Sequence, residues 1–193
     1  MQNSLPKNAK KVFSWIRMDI YQWDQELYDG SVKCFERAQF LDWAFVIWIL
    51  PNGKILMTEQ EQPSRDGPFF SLPWWAFDTP DEDPLECAER ELLEETWYVS
   101  DMWDLWFVFE GTSNILGKTY FYIAHNCRKI QDIVPDGGEK INEIFELQFD
   151  EFLAFAENPH FVHWPISAYL FGALLHTSKY EELQKLFQNK KIL

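Results

Sequence analysis

A chain of 193 residues, 47% hydrophobic and 25% charged, has the balance and size of one soluble domain with a substantial core plus a short arm, which excludes two full enzyme domains and a disordered tail. Its net charge of -14, from 31 acidic residues against 17 basic ones, repels a phosphate backbone, so nucleic acid is not an expected partner. An anionic small substrate then needs a bound cation.

In chain order, residues 12–23 alternate β-branched and aromatic side chains and are separated by Asp29-Gly30 from residues 31–40, which predicts a hairpin. Residues 43–50 form a continuous apolar run, the pattern of a strand buried on both faces, and Pro51-Asn52-Gly53 turns the chain into a further strand over 54–59. A polar, proline-containing loop is expected over 60–70. The next helix has the clearest signals: Asp83 as N-cap, Pro84 at the first helical position, and Glu86 placed to reach back toward the cap. Leu85, Ala88 and Leu92 recur at helical spacing and form its buried stripe. Strands are predicted over 103–110, 119–125 and 144–149, and helices over 149–157, 165–176 and 179–189. Mixed strands and helices around one core make an α/β or α+β sandwich.

No run of 18 apolar residues occurs, and the first seven residues are polar, so neither a membrane partner nor a secretion signal is expected. Cys34, Cys87 and Cys127 are odd in number and lack C-x-x-C pairing, which fits reduced thiols and a cytoplasmic location. His125, His160, His163 and His176 show no metal-ligand spacing. His160 and His163, flanked by Pro159 and Pro165, read as surface or core packing.

Within the capped helix, Arg90-Glu91-Leu92-Leu93-Glu94-Glu95 places Glu91 and Glu95 one turn apart on one side, with Glu94 adjoining. Like charges at that spacing destabilise a helix by about 0.2–0.5 kcal/mol per pair, and a divalent cation reverses the sign. The alternative is a solvated acidic face formed by Glu86, Glu89, Glu94 and Glu95.

Residues 72–98 resemble the Nudix box, G-x5-E-x7-R-E-U-x-E-E-x-G-U with U a bulky apolar residue: Glu82, Arg90, Glu91, Leu92, Glu94 and Glu95 fall at its spacing. The resemblance implies a Nudix-type α/β/α sandwich with a mixed sheet, and a hydrolase that attacks the diphosphate of a nucleoside diphosphate linked to X. It implies Mg²⁺ (or Mn²⁺) held by Glu91, Glu94 and Glu95, with Glu82 as a further or outer ligand. Arg90 would orient a carboxylate, and the backbone carbonyl of Trp74 would be another metal ligand. Residues 34–37, 59–63 and 138–141 look like the ADP-ribose pyrophosphatase branch. ADP-ribose or a nucleotide sugar is then the expected small-molecule substrate. Residues 1–40 are the expected β extension, serving as the arm of a homodimer, and residues 41–193 the hydrolase domain. Glu139 would bind metal or act as general base, with Glu143 as competitor. Where many members carry a phosphate-side arginine this chain has Gln60-Glu61-Gln62, leaving Arg65 or Arg37 to substitute, and Trp74 and Trp75 line the substrate side. A catalytically silent nucleotide-binding module and an enzyme of nucleoside triphosphates remain alternatives.

The departures from the box share a pattern. Ala76 stands at the first box glycine, with an extra residue in the following turn, Trp74-Trp75 stands where the family commonly has two glycines, and Trp97 stands at the second box glycine. Ten tryptophans exceed eight glycines, against the usual order. UGA codons, read as tryptophan in some bacterial codes and as glycine in others, would explain all three positions. Genuine indoles filling an inactive site are the alternative.

Overall fold

The computed structural model describes residues 4–79, 81–131 and 140–188. Its strands are β1 (Lys10–Ser14), β2 (Met18–Glu26), β3 (Val32–Phe40), β4 (Trp43–Trp48), β5 (Ile55–Glu61), β6 (Phe69–Ser71) and β7 (Trp74–Ala76), followed by helix α1 (Pro84–Thr96). Then come β8 (Tyr98–Val99), β9 (Met102–Phe109), β10 (Ile115–Leu116), β11 (Thr119–His125), β12 (Arg128–Lys129) and β13 (Lys140–Leu147). Helix α2 (Phe149–Ala154), a 3-10 turn (Phe155–Glu157), α3 (Trp164–Leu175) and α4 (Thr177–Phe187) complete the order.

The expected strand over residues 12–23 is two strands, because Trp15 N–H donates to the Met18 carbonyl at 2.8 Å and folds β1 back on β2. The turn from β2 to β3 lies where Asp29-Gly30 predicts it. Asp29 Oδ1 accepts from Ser31 N–H at 3.0 Å and Gly30 has a φ of +80°, which closes the register Glu26↔Val32. The predicted loop over 60–70 is shorter, since β5 runs on to Glu61 and β6 begins at Phe69. The strand expected to end at 149 stops at Leu147, where Gln148 caps α2.

Three sheets matter for function. β1, β2 and β3 form an antiparallel meander joined to the rest by β10, which runs parallel to β3. A central sheet has the order β7-β4-β11-β9, with β4 and β11 parallel in the register Phe45↔Phe121. β5 pairs between β13 and β6. The alternation of side chains along β11 turns Phe121 to one face and Tyr122 to the other. On the Phe121 face, Phe107 stacks on Phe121 and Tyr169 of α3 stacks on Phe107, each at 4.2 Å. On the other face α1 packs against β4 and β11 with Cys87, Ala88 and Leu92 fully buried. Helix, mixed sheet and helix make the three-layer sandwich anticipated from the sequence, and each large buried side chain stabilises it by about 1.5–3 kcal/mol. Among the described residues no helix is long and apolar enough to cross a membrane.

Candidate active site

Helix α1 is held at its start as its sequence dictates: the Asp83 carboxylate accepts from the N–H groups of Leu85 and Glu86 at 2.9 and 3.2 Å. That fixed start sets the azimuth of everything downstream. Arg90, about two helical turns further along α1, becomes the hub of a carboxylate cluster. Its Nη2 meets Glu82 Oε1 at 2.8 Å and Asp78 Oδ2 at 3.3 Å, and its Nη1 meets Glu91 and, at 3.3 Å, Glu94 Oε2. The second oxygen of Glu82 accepts the Asp78 N–H at 2.9 Å, so the turn before the helix is tied to the helix.

The electrostatics differ along this cluster. Burial pushes the Glu82 carboxyl upward, but the Arg90 hydrogen bond and the Asp78 N–H outweigh it and hold the group below its ordinary range. Glu91 is buried on α1, and that desolvation raises its carboxyl despite Arg90, with Glu94 and Asp78 adding repulsion. Glu95 lies one turn beyond Glu91 and is half-buried. Asp78, Glu82, Glu91 and Glu94 are four carboxylates around one guanidinium, a surplus of three negative charges if all are ionised. Cys87, beneath Arg90, is no competing nucleophile: burial pushes its thiol up to about 12.

The site residues anticipated from the sequence fall into separate groups. Glu82, Arg90, Glu91 and Glu94 are brought together, with Glu95 beside them. Trp74 is half-buried on β7, stacked on Trp43 at 4.9 Å and Phe45 at 5.7 Å. Trp75 is buried, and its indole N–H has no partner among the described residues. Arg65 lines a cavity of about 260 Å³ together with Phe45, Trp74, Phe109, Phe121 and His163, and its guanidinium lies 4.4 Å over Phe69. Arg37 sits elsewhere, on β3, donating to the Ser4 carbonyl at 3.0 Å and lying over Trp23. Glu139 lies outside the described residues, while Glu143 is exposed on β13.

Asp78 escaped the sequence reading, and His163, read there as surface or core packing, proves to be core with a hydrogen-bonding role that reading did not include. Asp78 stands in a turn with no signal beyond its charge. His163 is fully buried, and its Nε2 accepts the Leu72 N–H at 2.9 Å and lies 3.0 Å from Ser71 Oγ. An N–H can only donate, so Nε2 carries no proton and the imidazole is neutral; burial depresses its pKa to about 3. It thereby anchors the segment that leads through Pro73 into β7.

The donor chemistry of the cluster, oxygen only, suits a hard divalent ion such as Mg²⁺ or Mn²⁺. Among the described residues no three acids, histidines or cysteines are arranged so as to hold a metal ion between them.

The NUDIX domain profile matches residues 41–169. A solved structure described as an ADP compounds hydrolase superposes with a TM-score of 0.70, at 16% identity, covering 93% of this chain and 92% of that one, a likeness of fold. No curated protein sequence matches the chain.

Proposed function

From the premise that the chain belongs to the NUDIX domain family of hydrolases, we propose that it cleaves the diphosphate bond of a nucleoside diphosphate linked to X, with ADP-ribose or a nucleotide sugar as substrate. The observation that carries the reading is the Arg90-centred carboxylate cluster on α1. In this reading Glu91, Glu94 and Glu95 would hold Mg²⁺ (or Mn²⁺), with Glu82 as a further or outer ligand and the backbone carbonyl of residue 74 as another. When bound, the ion neutralises diphosphate charge and lowers the pKa of a water on it. Arg90 holds Glu82 below its ordinary range and, through its hydrogen bonds, aims both Glu82 and Glu91, the office of an outer-shell partner. Glu139 or Glu143 serves as general base.

The cavity beside Trp74 supports a nucleotide ligand. Its walls are flat aromatic faces, and Arg65 makes no ion pair among the described residues, an available cation in a chain of net charge -14. Arg65 would therefore contact a phosphate, with Arg37 as the alternative.

Residues 1–40 are proposed as the arm of a homodimer. Support comes from the exposed Val12, Phe13, Trp15 and Ile16 at the β1-β2 end of the meander, an apolar concentration that a partner surface would cover. The cytoplasmic location rests on the three free cysteines.

A silent nucleotide-binding module is favoured by one observation, the Trp74 and Trp75 side chains on the strand leading to α1. A panel of ADP-ribose, nucleotide sugars and nucleoside triphosphates assayed with Mg²⁺, wild type against Glu95→Gln, separates the readings. Loss of turnover in a folded variant is expected; undiminished cleavage would contradict the metal assignment.

A further inference from the structure

Seven described residues have a φ in the positive, left-handed half of conformational space. Five are glycines, and one is Asn126, a residue type that tolerates it. The seventh is Trp97, at φ +57° and ψ +27°. Its position explains the angle. Trp97 N–H donates to the Leu93 carbonyl at 2.9 Å, closing α1 in the left-handed manner that glycine ordinarily serves. Its carbonyl accepts from Ile130 N–H at 2.9 Å. The backbone is thus pinned on both sides by the passage from α1 into β8, and the Thr96 hydroxyl reinforces it by accepting the Tyr98 N–H at 3.2 Å, while the Trp97 indole makes no hydrogen bond there.

Nor does the indole repay the strain with a polar contact. Trp97 Nε1 is buried and has no hydrogen-bond partner among the described residues, and Trp75 Nε1 is the same. Trp48 shares that property, so an unpaired indole alone does not mark a misplaced tryptophan. The left-handed φ does, and it falls at one of three positions that the sequence motif had already grouped. The chain as a whole carries ten tryptophans and eight glycines.

We infer that positions 74, 75 and 97 are glycine in the protein its own cell makes, encoded by UGA codons that the cell's translation apparatus reads as glycine. At 97 the inference stands on the backbone alone. At 74 and 75 it rests on the hydrolase reading, and it has a structural consequence there. The Trp74 indole is one wall of the aromatic cavity that Arg65 lines, so glycine opens that cavity toward the backbone of β7, the strand that packs beside α1.

Sequencing the gene and mass spectrometry of the native protein's peptide spanning residues 91–98 test the inference without any assay of activity. UGA at the three codons and glycine at 97 are expected. UGG at the codons, or tryptophan in the native peptide, overturns it. The recombinant chain carrying Trp74→Gly, Trp75→Gly and Trp97→Gly is then compared with the tryptophan chain for Mg²⁺-dependent cleavage of ADP-ribose, where a gain of at least about tenfold is expected, some 1.4 kcal/mol of barrier. Glycine in the native peptide with no cleavage of ADP-ribose or of nucleotide sugars by either chain would refute the hydrolase reading and leave the inference standing. Tryptophan in the native peptide with full cleavage would do the reverse.

Discussion

The strain at Trp97 can be isolated from the loss of its indole by comparing two truncations at the same site. Trp97→Gly and Trp97→Ala both remove the half-buried ring and its unpaired N–H, so those contributions cancel between them. What remains is the left-handed backbone, which costs an L-residue about 1–2 kcal/mol and glycine nothing. Against that, glycine loses about 0.5–1 kcal/mol more conformational freedom on folding. The glycine variant is therefore expected to be the more stable by about 0.5–1 kcal/mol, which for a domain of this size raises its melting temperature about 1–4 °C above the alanine variant's. The exposed helical residue Glu89 is the control: there Glu89→Gly should be less stable than Glu89→Ala by about 1 kcal/mol, the opposite sign. Urea unfolding of the four variants, metal-free, measures both differences. Alanine equal or superior to glycine at 97 would refute the left-handed helix end.

Three further outcomes are expected. Arg90→Ala removes the cation shared by Asp78, Glu82, Glu91 and Glu94, which should destabilise the metal-free protein by about 1–3 kcal/mol, partial exposure of the guanidinium screening the rest, and should raise the Glu91 carboxyl further in an NMR titration. His163 is held neutral, its pKa depressed from 6.5 to about 3, so its contribution to stability is complete above 6.5 and is lost as pH falls from there toward about 3; His163→Gln should flatten that slope in acid melts, and an unchanged slope would count against the buried acceptor. Ile16→Asp, on the exposed β1-β2 end, should convert a dimer to monomer in light scattering without lowering the melting temperature of the hydrolase domain; a wild-type monomer would dismiss the arm.

How far the sequence could be read follows from how local each determinant is. Helix α1 was legible almost to the residue because Asp83, Pro84 and the spacing of Ala88 and Leu92 act within a few positions of one another. Its left-handed end at Trp97 is legible for the same reason. The break between β1 and β2 was not, since Trp15, Ile16 and Arg17 carry no turn-forming residue and the turn is imposed by pairing. β7 owes its existence to β4, some thirty positions earlier, in the register Phe45↔Trp74. In the site, Arg90 and its neighbours along the helix could be read from spacing, while Asp78 reaches Arg90 only through the turn before α1. The His163 contact to Leu72 spans 91 positions, and its neutral, accepting Nε2 is a property of burial that no motif records.

In the proposed function the acids of α1 are a seat for a divalent ion. Manganese binding followed by electron paramagnetic resonance, on wild type and on the double variant Glu91→Gln/Glu95→Gln, tests it most directly. Immobilised Mn²⁺ in the wild type and free Mn²⁺ in the double variant is the predicted result. Equal binding by both proteins, or none by either with ADP-ribose present, would contradict it.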